Sequence, residues 1–354
     1  LNICPRVEVN LSKIRHNTRV ITKLCSKLNI QVAGVTKVFC AMPEIVQAMI
    51  DGGIEMLADS RIENLKKLDN FKIPKILLRL PMKSQAMEVI KYADISLNSE
   101  LATIEELSRA ARKEKKIHNI ILMIDLGDLR EGVWKDKILD TVKEILKLDQ
   151  IKLIGIGTNL TCYGGVIPDN KNLGMLVEIS NQIEKEFNIS LEIISGGNSS
   201  SLYLIEKGEM PKKINHLRLG EAIVLGRETA YGHIIKNTFK DAFTFVAEII
   251  ELKEKPSVPI GEIGLDAFGN KPTFTDNGIR KRAILAVGRQ DVLVDNITPF
   301  NRKIKILGAS SDHLIIDVTD CEEEYAIGDE IRFQVEYGAL LQLMTSGYVY
   351  KEIQ

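Results

Sequence analysis

The chain has few cysteines, no excess of either charge and no long apolar run, and each absence excludes something. Five cysteines (Cys4, Cys25, Cys40, Cys162 and Cys321) are scattered through 354 residues with no paired spacing. That argues against a disulfide framework or a zinc site, and a reducing cytoplasm is the expected home. The 47 basic and 48 acidic residues leave a formal net charge of −1. Without a basic excess nothing holds a phosphate backbone, so nucleic acid is not an expected partner. No apolar run approaches the roughly 20 residues of a membrane span, so no membrane is expected either. The opening Leu1-Asn2-Ile3-Cys4-Pro5-Arg6 lacks the charged-then-apolar pattern of a signal peptide. Low-complexity segments and flexible linkers are also missing.

What is present is a globular composition, with 45% hydrophobic and 27% charged residues. The length suits one large domain and a smaller one. Short apolar runs alternate with amphipathic stretches eight times. Ile30 to Val35, Ile54 to Ala58, Lys75 to Leu80, Ile95 to Leu97, Ile120 to Asp125, Leu153 to Gly157, Leu191 to Ile194 and His216 to Leu219 read as strands. Each is followed by a helical pattern. Continuous apolar strands of this kind are buried on both faces, as in a parallel sheet. Eight units over roughly 210 residues fit a (β/α)8 barrel better than an open sheet. After about residue 235 the runs alternate apolar and polar, broken by glycine, proline and aspartate, and no long helix pattern remains. The expected fold is α/β: a barrel over 10–232, then a mostly antiparallel β domain over 233–354. Residues 1–9 are a candidate extra strand of that second domain.

In a barrel the carboxyl ends of all strands face one mouth, where the chemistry sits. Lys37 follows the first strand. A desolvated lysine there can lose its proton and form a Schiff base, although strand-end lysines also simply reach to solvent. Asp125 to Arg130 follow the fifth strand, Thr158-Asn159 the sixth, and Ser195-Gly196-Gly197-Asn198-Ser199-Ser200 the seventh. Arg218-Leu219-Gly220-Glu221 closes the eighth. The Gly-Gly-Asn-Ser-Ser stretch reads either as a plain loop or as a phosphate cradle of close backbone, serine donors and a helix start. A Schiff-base lysine facing a phosphate cradle implies pyridoxal phosphate.

The stretches VAGVTKVFC around Lys37, MIDLGDLREG around Arg130, GTNLTCYGG around Asn159, SGGNSSSL around Ser199 and HLRLGEAIVLGRET around Arg218 carry a resemblance, as do GEIGLDAFG, LGASSDHLIID and EYGALLQLMTSGYV later on. In order and spacing the chain resembles the alanine racemase family of pyridoxal-phosphate enzymes (fold type III) over nearly its whole length. It looks closest to the branch that includes ornithine racemase. The resemblance implies an amino-acid racemase, with ornithine as substrate, built as a homodimer. It implies that Lys37 carries the cofactor and serves as one catalytic base. Arg130 would lie near the cofactor's phenolic oxygen and Arg218 would face the pyridine nitrogen. Asn159 stands where alanine racemases place a ring-packing histidine. Asn198, Ser199, the backbone near Gly220 and Glu221, and Tyr337 would bind the phosphate. Without the resemblance, Arg218 reads equally well as half of a buried salt bridge to Glu221 or another acid.

One departure matters. The family's second base is a tyrosine of the partner's β domain, and aligning outward from the Arg282 strand offers Ala267-Phe268-Gly269 instead. Phenylalanine cannot shuttle a proton. Asp312 and Asp266 are the leading replacements, ahead of His313 and Cys40. Each also has an ordinary reading as a turn, loop or edge residue. Two rival readings remain. One is another enzyme on the same cofactor: an alanine or broad-range racemase, a decarboxylase, or a D-amino-acid aldolase or dehydratase. The latter two often need a metal, and no His-x-Cys or Cys-x-x-Cys cluster is present. The other is a non-catalytic cofactor-binding protein.

Overall fold

A computed structural model describes residues 3–354. The chain divides into two compact units, residues 11–240 and residues 1–10 with 241–354.

The first unit is a closed parallel barrel. Its helix α1 (Leu11–Ser26) buries Ile14, Ile21 and Cys25 on one face and leads to strand β1 (Gln31–Val35). Then come α2 (Pro43–Asp51) and β2 (Met56–Asp59), α3 (Ile62–Lys67) and β3 (Lys75–Leu77), α4 (Ala86–Tyr92) and β4 (Ile95–Asn98). They are followed by α5 (Leu101–Glu114) and β5 (His118–Met123), α6 (Ile138–Ile145) and β6 (Ile151–Gly157), α7 (Asn170–Phe187) and β7 (Ile193–Ser195), and α8 (Leu202–Lys207) and β8 (His216–Leu219). Pairing of β1 with β8, in register Gly34↔Leu219, closes the ring.

The local reasons are ordinary. Pro43 opens α2 at a position where no intrahelical donor is needed. Asp169 caps α7, its carboxylate accepting from Asn172 while Asn172 reaches back to the Asp169 N–H. Ala33, Val35, Met56, Ala58, Leu97 and Met123 fill the barrel interior, one side chain in two along each strand.

The second unit is a mostly antiparallel sheet with the long strand β9 (Phe243–Pro256) at its centre. Strands β10 (Ile279–Leu285) and β13 (Glu330–Val335) flank it antiparallel. Beyond them lie β11 (Lys305–Ala309) and β12 (Leu314–Asp317) on one side. A short strand at Ile297–Pro299 lies on the other. Arg6–Val9 pairs antiparallel with β9 and parallel with Tyr350–Ile353. Three features went unread in the sequence: the short strand at Ile297–Pro299, the strand at Tyr350–Ile353, and α9 (Tyr337–Thr345), which buries Ala339, Leu340, Leu343 and Met344. Among the described residues no helix is long and apolar enough to cross a membrane.

Candidate active site

Lys37 stands two residues beyond β1, on the turn that follows it, and its side chain is exposed. That turn is held from below. Thr36 Oγ1 donates to Asp59 Oδ2 at 2.6 Å, and the Arg61 N–H and the Asn64 amide also donate to this carboxylate. Asp59 is wholly buried at the end of β2. Burial raises its pKa, opposed by these hydrogen bonds and by the nearby Lys37 charge, and the net direction is up. Sequence reading missed Asp59. The only signal was an acid closing the strand next to the one that ends at Lys37.

Arg218 points into the barrel from β8 and is 5% exposed. Its guanidinium donates to Ser195 Oγ, to the Thr158 carbonyl oxygen at 2.7 Å and to Asn159 Oδ1 at 3.5 Å. All three acceptors are neutral. Glu221 pairs with Arg227 at 2.8 Å rather than with Arg218, so the salt-bridge reading of Arg218 does not hold. Burial pushes the Arg218 pKa down to about 10, with Glu131 acting in the opposite direction. At neutral pH the group stays charged.

Asn159, buried after β6, lies between three donors. In one orientation its amide oxygen accepts from Asn198 Nδ2 at 3.0 Å and from Arg218; turned over, it accepts from Arg130. Arg130 is exposed and also pairs with Glu131. Asp128 fixes the loop that follows Asn159. Its buried carboxylate accepts from the N–H groups of Thr161, Cys162, Tyr163 and Val166 at 2.9–3.3 Å. Burial alone would raise the Asp128 pKa, but these N–H donors bring it below the ordinary carboxylate value. Asp128 was quoted within the Arg130 motif but given no role.

The seventh strand leads into a tight cradle. A Cβ on Gly196 would stand 2.6 Å from Ile214 Cγ2, and Gly197 has φ +111°, so both positions need glycine. The helix that follows begins at Leu202; before it Ser199–Ser201 form a 3-10 turn capped by Asn198, whose side chain accepts from Ser200 N–H. Ser199 Oγ accepts from Ala222 N–H at 3.1 Å. Ser200 Oγ is buried with no hydrogen-bond partner. Gly220 packs on Val35, two residues before Lys37; a Cβ there would be 3.0 Å from the Val35 Cβ. The ends of β1, β6, β7 and β8 thus converge on one mouth. A buried, charge-bearing arginine bonded only to neutral oxygens and an orphaned serine hydroxyl in a glycine cradle fit a flat heteroaromatic phosphate ester.

The remaining sequence candidates, Cys40 apart, lie in the β-sheet unit. Asp312 is exposed, its Oδ1 2.8 Å from His313 Nδ1. That contact, foremost, lowers the Asp312 pKa. Asp266 is exposed too, and the Asn270 N–H, foremost, lowers its pKa. A base raised by burial is therefore not what the isolated chain presents at either position. Arg289, which sequence reading did not single out, gathers these loops. Its guanidinium lies 5.4 Å from the Phe268 ring centroid, and its backbone N–H donates to the Ser310 carbonyl at 2.9 Å. Its only sequence signal is an arginine just past an alternating strand. Tyr337 is half-buried as the first residue of α9. Cys40 is half-buried on the Lys37 turn with φ +54°. Among the described residues no cluster of three or more His, Cys, Asp or Glu side chains is arranged to hold a metal ion.

The fold and this mouth define a (β/α)8-barrel protein with an appended β-sheet unit. The alanine racemase N-terminal domain family matches residues 9–228, and the chain belongs to the alanine racemase family. It is 52% identical to the ornithine racemase of Acetoanaerobium sticklandii over 350 residues, 99% of either chain. It is 42% identical to the lysine racemase of Thermotoga maritima over 351 residues, 99% of this chain and 98% of that one. The alanine racemase of Bartonella henselae, solved with covalently bound pyridoxal phosphate, shares the fold at a TM-score of 0.75, with 16% identity and 100% of both chains covered.

Proposed function

We propose that the chain is a pyridoxal-phosphate-dependent amino-acid racemase, an isomerase that interconverts L- and D-ornithine. The observation that carries the reading is Arg218, a buried guanidinium on the strand beside that of Lys37, bonded only to neutral oxygens. The choice of ornithine rests on the full-length likeness to ornithine racemase.

The bound cofactor withdraws electrons from the substrate and makes its Cα proton acidic. Lys37 Nζ holds the cofactor at rest, and on one face of the substrate it takes or returns that proton. Arg218 offers the ring nitrogen a donor that it does not surrender, so the nitrogen stays unprotonated and electron withdrawal stays moderate. Moderate withdrawal favours return of the proton to Cα over its delivery elsewhere. Asn159 would lie beside the bound ring, and Arg130 would offer a positive charge to its phenolic oxygen. Asn198, Ser199 and the backbone at Gly220 and Glu221 would hold the phosphate.

The opposite face needs a second group. We assign it to Asp312 or Asp266 in a homodimer, where burial against a second copy would lift a carboxylate that the chain alone holds low. A cytoplasmic location suits the free thiols.

The test is chiral analysis of products from L-ornithine, L-lysine and L-alanine, with cofactor supplied. D-ornithine should form fastest. Faster D-lysine formation would overturn the substrate assignment. Release of carbon dioxide, or an unchanged L-isomer in every case, would overturn the reaction class.

A further inference from the structure

Ser195, His216 and Arg218 face the barrel interior on two neighbouring strands, with Ser195 and His216 side by side in register. All three are buried, at 0%, 1% and 5% exposure. Arg218 donates to Ser195 Oγ, and Ser195 Oγ lies 2.8 Å from His216 Nδ1. A guanidinium only donates, so Ser195 Oγ accepts from Arg218. A hydroxyl oxygen has a second lone pair, so it could also accept from His216, but only a bare His216 Nδ1 gives the serine's own proton an acceptor. A neutral imidazole with a bare Nδ1 carries its proton on Nε2. That nitrogen is buried and has no hydrogen-bond partner. An orphaned donor of this kind is costly in a native core and calls for a reason.

We infer that His216, acting through Ser195, is a positioning residue that fixes the direction of the Arg218 guanidinium. His216 Nδ1 accepts the serine's hydrogen bond, which holds the Ser195 hydroxyl with a lone pair toward Arg218. With Ser195 holding one guanidinium nitrogen and the Thr158 carbonyl the other, the fork cannot rotate. Burial, and then the Arg218 charge, push the His216 pKa down to about 3, so the imidazole stays neutral through the working range and keeps one bare ring nitrogen. The inference rests on the proposed placement of the cofactor ring against Arg218, since only then does the aim of the guanidinium matter to the reaction.

The substitutions that separate hydrogen bonding from packing are His216→Asn, whose Oδ1 replaces the Nδ1 acceptor, and His216→Leu, which has none. Ser195→Ala removes the link itself. In the holoenzyme, His216→Leu and Ser195→Ala should lower kcat by about 10- to 100-fold with KM within about threefold, the usual scale for a lost orienting group. Both should shift the absorption band of the bound cofactor. His216→Asn should keep the band and stay within about fivefold of the parent kcat. Nitrogen-15 NMR of histidine-labelled protein should show His216 as the neutral Nε2–H form from pH 5 to 8. The inference is overturned if His216→Leu keeps the parent kcat and band, if His216→Asn is damaged as much as His216→Leu, or if NMR finds the proton on Nδ1. The NMR reading does not depend on the cofactor. A protein that shows the Nε2–H form but binds no pyridoxal phosphate would overturn the functional proposal instead, and with it this role for the pair.

Discussion

Asp128→Ala removes the one carboxylate that four loop N–H groups share. Thr161 and Val166 donate to Oδ1 at 3.1 and 3.0 Å, and Cys162 and Tyr163 to Oδ2 at 3.3 and 2.9 Å. A hydrogen bond to a charged group contributes about 1.5–3 kcal/mol. The sum is smaller here because water can replace part of the loss: Tyr163 is 76% exposed. A net cost of about 2–4 kcal/mol follows, taken locally by residues 161–166. The assay is hydrogen exchange of those amides. Exchange at Thr161, Tyr163 and Val166 should speed up by roughly 30- to 700-fold, since about 1.4 kcal/mol is tenfold. The Asp128 pKa lies below the ordinary carboxylate value. Its contribution is therefore complete above the unfolded value and disappears as pH falls through the folded one. The parent loop should loosen only below about pH 4. Unchanged exchange in Asp128→Ala at pH 7 would refute the claim that this carboxylate holds the loop beside Asn159.

Other substitutions probe the barrel. His118 is buried, with Nε2 2.8 Å from Ser96 Oγ, and burial lowers its pKa to about 4. The unfolded chain binds a proton below pH 6.5 that the folded barrel refuses, so stability falls with pH; His118→Gln should flatten that fall by about 2 kcal/mol between pH 6.5 and 5 in urea unfolding, and an unaltered slope would contradict this. Asp59→Ala strips the acceptor from Thr36, Arg61 and Asn64 and should cost about 3 kcal/mol by the same assay, whereas a loss under about 1 kcal/mol would show that water replaces it. Gly155→Ala would set a Cβ 2.1 Å from the Ile193 carbonyl oxygen on the next strand. A cost of about 3 kcal/mol, or loss of soluble protein, is expected, and a parent-like urea midpoint would show that the strands can part.

The barrel was legible because parallel strands buried on both faces leave continuous apolar runs such as Ile120 to Met123, and the helices between them carry one apolar stripe. The C-terminal end was harder. Residues 337–345 are apolar almost all round, so helical periodicity is weak. The strand at Tyr350–Ile353 is defined by pairing with residues more than 340 positions earlier, which no local window detects. At the mouth, strand-end position was enough to single out Lys37, Asn159, Ser199 and Arg218. The groups that hold them were not visible in the same way. Asp59 supports the Lys37 turn from 22 residues away, and the Ser195–His216 contact depends on the register between two strands. Whether Arg218 pairs with Glu221 likewise depended on side-chain direction, which spacing does not fix.

Lys37 is proposed as the residue that holds pyridoxal phosphate at the barrel mouth. Borohydride reduction of the cofactor-loaded protein, followed by peptide mapping, tests it most directly. A single cofactor-bearing peptide containing Lys37, absent from Lys37→Ala, is the predicted result. A label on any other lysine, or a loaded protein that borohydride leaves unlabelled, would contradict it.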